Sequence, residues 1–279
     1  MADWYATRES VKRAAQIKGS DSNALVDEYI EAASREIEAL TNRRFIPKTE
    51  ARNYPWPQAL PRRFYVLHLD EDLLSVSSLT KEGDDVVAIA AADFFLEPSG
   101  IGPPYNRIEI DLASSTFFAA KDTHQRAIRV TGDWGWGNAT KAAGALAEGL
   151  DATETEVDVT DASLIGVGDT ILIETEKMFV SEKAVLTTTA TLNGALNADV
   201  SQVTVPVNTG TLVKKGEVVL VNSEKMLVTD ISSNDLTVIR AYDGSVLAAH
   251  VTATTVYAYR TLTVTRGANG STAATHSTA

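Results

Sequence analysis

One self-similarity constrains the fold of this 279-residue chain more than any other feature. The run Gly168-Asp169-Thr170-Ile171-Leu172-Ile173-Glu174-Thr175-Glu176-Lys177-Met178-Phe179-Val180 matches Gly216-Glu217-Val218-Val219-Leu220-Val221-Asn222-Ser223-Glu224-Lys225-Met226-Leu227-Val228. The upstream strands Val157-Asp158-Val159 and Val205-Pro206-Val207 keep the same offset. A second arm, Leu236-Thr237-Val238-Ile239-Arg240, continues through Asp243-Gly244-Ser245 to Ala248-Ala249-His250. It matches Leu262-Thr263-Val264-Thr265-Arg266, through Asn269-Gly270-Ser271 to Ala274-Thr275-His276. The arms run first, first, second, second. Nesting is the simplest account of that order: an outer β-module at 151–183 plus 261–279, interrupted by an inner copy at 184–260. Insertion at a loop tip is tolerated when the loop ends lie close together. A tandem array of half-modules is the alternative. The Thr- and Val-rich composition beyond about residue 150 is that of an all-β region.

The recurring residues read first as architecture. Gly168 and Gly216 suit a tight turn or bulge. Met178 and Met226 suit a core better than a metal. Asp243-Gly244 and Asn269-Gly270 are turn signals. Arg240 and Arg266 each call for a carboxylate in their own module, with Glu224 and Glu176 as candidate partners. His250 and His276 recur at equivalent positions, which favours a structural hydrogen bond over catalysis. The inner copy continues past His250 to Thr255-Val256-Tyr257-Ala258-Tyr259, a closing strand. The outer copy shows none before Ala279. Either the native chain is longer or the outer module closes in another way.

The first half has a different grammar. Thr7 is a candidate N-cap for a short helix over Val11, Ala14, Ala15 and Ile17, stopped by Gly19. Leu25, Val26, Tyr29, Ile30, Ala33, Ile37 and Leu40 recur at helical spacing, so a second, amphipathic helix of about five turns is expected. Arg43 and Arg44 sit where cations favour its C-terminus. Pro47, Pro55, Pro57 and Pro61 then exclude regular helix. Short strands are expected at 64–69, 74–80, 86–89, 94–96, 107–112 and 127–131.

Composition narrows function mainly by exclusion. A net charge of −12 argues against a groove-reading nucleic-acid binder, whose affinity needs lysine and arginine against phosphate. It is compatible with a surface past which DNA slides. There is no cysteine, and the four histidines are scattered, which makes a zinc site improbable. Asp70, Glu71 and Asp72 lack the rest of a calcium loop and read as an exposed acidic turn. No Walker loop, Gly-x-Ser-x-Gly elbow or His-Glu-x-x-His is present. No catalytic, cofactor or metal residue is assigned, and an enzyme is not expected. No apolar run is long enough for a membrane helix, and the N-terminus lacks the pattern of a signal peptide.

Four pieces of the first half occur in a telling order. They are Thr41-Asn42-Arg43-Arg44-Phe45, then Leu69-Asp70-Glu71-Asp72-Leu73-Leu74-Ser75-Val76-Ser77-Ser78-Leu79. Asp93-Phe94-Phe95-Leu96-Glu97-Pro98 with Pro103-Pro104-Tyr105 follows. The last is Gln125-Arg126-Ala127-Ile128-Arg129-Val130-Thr131-Gly132-Asp133-Trp134-Gly135-Trp136. In this order they resemble the head-to-tail connector (adaptor) proteins of tailed bacteriophages, over about the first half of the chain. The second half resembles the Ig-like β-modules of phage virion proteins. Arg266-Gly267-Ala268-Asn269-Gly270-Ser271 matches their pattern, and the inner copy departs from it at Ala241 and Tyr242.

The resemblance implies an α+β chain. An N-terminal α-helical connector domain with a small β region (1–140) leads through a linker (141–150) to all-β modules, small sandwiches or barrels, one nested inside the other. It implies a structural virion protein of the neck, forming a homo-oligomeric ring of about twelve copies between portal and stopper or tail-completion protein. DNA would pass non-specifically through the lumen, and capsid or neck decoration proteins are further candidate partners. Arg43, Arg44, Arg62 and Arg63 are the candidate subunit or portal contacts. A decoration role, with the β-modules binding a host-surface glycan or receptor, is the alternative.

Overall fold

The computed structural model describes residues 3–57, 64–83, 86–121 and 123–278. The chain divides into two compact units. One comprises Met1–Ser34, Lys141–Ala268 and Thr272–Ala279, and the other Arg35–Thr140 with Asn269–Ser271. Residues 1–140 therefore contribute to both.

Within Arg35–Thr140 the strands are β1 (Lys48–Tyr54), β2 (Val66–Lys81), β3 (Val87–Ile89), β4 (Phe94–Glu97), β5 (Tyr105–Ile110) and β6 (Ile128–Trp134). They form an antiparallel sheet in the order β1-β6-β2-β5-β4, with β3 paired to β2. Leu73, Ile108, Ile128, Val130 and Trp134 are fully buried in its core. The Trp134 indole N–H donates to the Glu50 carbonyl at 3.1 Å, as a buried indole requires. Gly132 sits where β2 bulges against β6. A Cβ there would lie 2.0 Å from the Ser75 carbonyl oxygen.

Two expectations change here. The strands expected at 64–69 and 74–80 are one strand, β2, which runs through the supposed acidic turn. Asp70 and Glu71 lie in the strand and face the Arg52 guanidinium, and Asp70 also accepts from the Tyr54 hydroxyl. β1 was not foreseen. It is the sheet-edge strand Lys-Thr-Glu-Ala-Arg-Asn-Tyr, whose polar residues hide its alternation.

In the other unit, Thr7 caps α1 (Arg8–Ala14) through a reciprocal box with Ser10. Helix α2 (Asn23–Thr41) begins there and continues past Ser34. The strands are β7 (Glu156–Asp158), β8 (Thr170–Ile173), β9 (Glu176–Thr191), β10 (Thr204–Pro206), β11 (Val218–Val221), β12 (Glu224–Ser232), β13 (Asp235–Ile239) and β14 (Thr255–Thr265). Their order is β10-β13-β12-β11-β14-β9-β8, with β7 on β14. Two cores result. Leu150, Val157, Val159, Met178, Val180, Leu262 and Val264 belong to one. Leu192, Leu196, Val205, Val219, Val221, Met226, Val256 and Ala258 belong to the other.

The α+β class, with an N-terminal α-helical connector domain, is corrected. Among the described residues strands make up 40%, in two antiparallel sheets, against two short helices. The physical reason lies in burial. α1 has 7 residues, and α2 buries only Val26, Ile30 and Ser34. That face is too narrow for a helical core. The buried apolar residues of the first half belong instead to the sheet.

Candidate functional site

The residues that recur in sequence meet in space at two equivalent centres. In the inner copy, Asn222 in the left-handed region and Ser223 close the two-residue turn from β11 to β12. This sets Glu224 at the start of β12, fully buried. Its Oε1 accepts from Arg240 Nε at 2.7 Å and from the Ala241 amide at 3.0 Å. Its Oε2 accepts from Arg240 Nη2 at 2.8 Å and the Ala248 amide at 3.1 Å, and lies 2.9 Å from His250 Nε2. Arg240 Nη2 also donates to the Ala248 carbonyl at 2.7 Å.

The outer centre repeats this atom for atom. Glu176 Oε1 accepts from Arg266 Nε at 2.7 Å and the Gly267 amide at 3.0 Å. Its Oε2 accepts from Arg266 Nη2 at 2.8 Å and the Ala274 amide at 3.0 Å, and lies 2.9 Å from His276 Nε2. The side chain facing each histidine differs. His250 Nδ1 faces the Asn222 side-chain amide at 3.1 Å, whereas His276 Nδ1 faces Glu174 Oε2 at 3.1 Å.

Burial alone would raise both carboxyls. The arginine, the histidine and the two amides outweigh it and hold Glu224 and Glu176 down to about 2. Each carboxylate makes five contacts to four groups, which uses up its lone pairs and leaves no acceptor for a substrate. The centres are locks that fasten the second arm of each copy onto the first. Met178 and Met226 are fully buried beside them as core residues.

A third buried pair was not read from the sequence. Arg260 on β14 grips Glu217 in two parallel bonds of 2.7 and 2.8 Å. Leu146 and Leu150, in the span read as linker, bridge Val159 and His276, as Leu192 and Leu196 bridge Val207 and His250. The repeated Leu-x-x-x-Leu was the available signal.

A cleft of about 880 Å³ lies beside α1. Arg8 binds Asp27 at 2.6 Å and Glu182 at 2.8 Å. Asp243 accepts from Lys12 at 2.5 Å and from Lys225 at 2.7 Å. Burial raises the Glu9 carboxyl, which accepts from the Val167 amide at 2.9 Å. Burial also lowers Lys183, whose ammonium donates to the Ala162 and Ile165 carbonyls. These paired charges clamp the N-terminal segment to the β-modules.

Of the candidate contact residues, Arg43 lies 3.2 Å from Asp72 and stacks 3.7 Å over the Trp136 ring. The Arg44 carbonyl accepts from the Trp136 amide at 2.7 Å. Arg62 and Arg63 fall outside the described residues. Among the described residues no group of three or more metal-ligating side chains occurs, and no helix is long and apolar enough to cross a membrane. No protein-family model, curated protein or solved structure matches the chain.

Proposed function

We propose that this chain is a structural virion protein, a head-to-tail adaptor that assembles as a ring between portal and stopper or tail-completion protein. The observation that carries self-assembly is the surface of α2. Leu25, Tyr29, Ile37 and Leu40 are 51%, 66%, 40% and 79% exposed. At 100° per residue they fall within an arc about 120° wide, which also holds the buried Val26 and has the buried Ile30 about 20° beyond its edge. A subunit contact would cover such a stripe. Arg43, half-exposed over Trp136, is a candidate second contact. An acidic chain suits a lumen through which DNA passes without sticking. Electron microscopy of the purified protein and of virion necks tests this: closed rings are expected, and monomers alone in mature virions would refute it.

The outer and inner β-modules, on this proposal, are nested appendages of the ring. Ala184 pairs directly with Thr261 across β9 and β14, so the ends left by removing 184–260 are already neighbours. That deletion is expected to leave a folded outer module. A second reading, glycan or receptor binding by the modules, is favoured by Tyr242 and Tyr259 in the cleft. Saturable binding of host-surface glycan, lost on Tyr242→Ala, would favour it over the ring.

A further inference from the structure

We propose that the outward face of the inner module, floored by Val218, Leu227 and Ile239, is a docking site for an acidic segment of another protein that presents an aromatic side chain. The inference goes beyond the ring and does not depend on it.

The three floor residues form one row across the sheet. Val218 on β11 pairs with Leu227 on β12, and Leu227 pairs with Ile239 on β13. Their neighbours along the strands, Val219, Met226, Val228 and Val238, belong to the inner core. Alternation therefore turns the row outward. Ile239 is 51% exposed, and Val218 and Leu227 are half-buried. Covering such a row with an apolar group is favourable.

The outer module shows what this face takes. Its counterpart row runs through Thr170, Phe179 and Thr265, paired in the same way. There the N-terminal segment lies on it. The Trp4 ring meets Phe179 edge to face at 5.5 Å. The Thr170 hydroxyl lies 3.5 Å from the Asp3 carboxylate. Phe179 is only 5% exposed as a result. Gly168 admits the indole, since a Cβ there would lie 2.3 Å from Trp4 Cε3. At its counterpart Gly216 a Cβ would meet, among the described residues, only Ser163 at 3.6 Å. An acid and a tryptophan thus cover the face in one module, and the same face is open in the other.

The surroundings of the open row set the charge of its occupant. The row floors the cleft beside α1, which Tyr242 and Tyr259 also line. Lys12 and Lys225 share the single carboxylate of Asp243, at 2.5 and 2.7 Å. Arg13 and Lys18 line the same cleft, both exposed, and among the described residues neither is in an ion pair. The other acids of the cleft are engaged: Glu182 on Arg8, Glu9 on the Val167 amide and Asp169 on the Gly166 amide. An acid on the incoming segment would meet these cations while its aromatic ring covers Leu227 and Ile239.

The N-terminal segment of a second copy is the poorer fit. Thr7 and Glu9 approach the outer module closely because residue 166 is glycine. A Cβ there would lie 2.6 Å from both the Thr7 Cβ and Glu9 Oε2. The inner module has Lys214 at that position, and its side chain blocks the same approach.

The test uses the full chain and capped synthetic pentapeptides, read by NMR of the Val218, Leu227 and Ile239 methyl groups. Ala-Asp-Trp-Tyr-Ala should shift these methyls saturably, with a dissociation constant of about 1 mM or tighter. Ala-Asn-Trp-Tyr-Ala and Ala-Asp-Ala-Ala-Ala should each bind at least about tenfold more weakly. Ile239→Asp, at an exposed position, should abolish binding. Lys225→Gln should weaken the Asp peptide and leave the Asn peptide unchanged, and it decides if Ile239→Asp fails to fold. Absence of shifts at about 10 mM peptide, or equal binding by all three peptides, overturns the proposal. So does unchanged binding by a folded Ile239→Asp chain. Equal shifts of the same methyls by glucuronic acid would assign the cleft to a saccharide, and shifts that grow with chain concentration alone would assign it to a second copy. Either result overturns the proposal as well.

Discussion

The inner and outer β-modules use the same chemistry in different degrees of completion. Both carry a Glu–Arg–His lock with matching bond lengths, and both bury a methionine beside it. They differ at the far edge. The inner core is sealed by Val256 and Ala258, and its Arg240–Glu224 pair has no exposed side-chain surface. Among the described residues the outer core has no counterpart of either, and Arg266 keeps 7% of its side-chain surface exposed. The lock therefore fixes the fold of a copy, while sealing of the core is a separate step.

Removing the carboxylate of a lock should have the largest effect, because it strands a buried guanidinium. Glu224→Ala is expected to cost about 4 kcal/mol and Glu176→Ala about 3 kcal/mol. Urea unfolding of each variant measures both. Equal costs would break the comparison, since water reaches Arg266 and does not reach Arg240.

Acid should act on both locks with a similar magnitude. Their folded carboxyls sit at about 2, below the ordinary 4.5. Stability from a depressed carboxyl is fully present above the ordinary value and is lost as pH falls through the folded one. Between pH 5 and pH 2 each lock should lose on the order of 3 kcal/mol. Unfolding midpoints across that range check the sign and the window. A chain with Glu224→Gln should lose about half of the combined dependence.

The locks were legible in sequence because each copy vouches for the other. Glu, Arg and His recur at fixed offsets, and coincidence at all three positions in two copies is improbable. The Arg260–Glu217 pair was not legible because it occurs once, and no offset points to it. β1 was hidden for another reason: a polar sheet-edge strand such as Lys48–Tyr54 buries too little to show alternation. Both expected helices form, but the expectation of a helical domain failed from the opposite side. The spacing of Leu25, Tyr29, Ile37 and Leu40 is that of a core-facing helix, yet these residues face outward. A sequence records that a face is apolar and not what covers it.

Core truncation gives a smaller contrast. Val221→Ala removes methyls from a sealed site and is expected to cost about 2 kcal/mol. Ile173→Ala, at the matching position of the open copy, removes more atoms but should cost only about 1 kcal/mol, because water already reaches part of the side chain. Denaturant midpoints of the two variants make the measurement, and equal costs would show that the two sites are equally sealed.

The smallest effect concerns the side chain that faces the histidine of each lock. Glu174→Asn puts the inner centre's asparagine opposite the outer histidine. Glu174 lies 3.1 Å from His276 Nδ1, but its side chain is 69% exposed. Solvent screens such a contact, so the change should be within about 0.5 kcal/mol. The distinction then shows in salt dependence. The wild-type outer lock places a second carboxylate on the imidazole, and that contact weakens as ionic strength rises. The Glu174→Asn chain should unfold at a midpoint less sensitive to sodium chloride than the wild type. An unchanged salt response would mean that Glu174 contributes nothing to the lock, and that the two centres are energetically alike despite the different neighbour of the histidine.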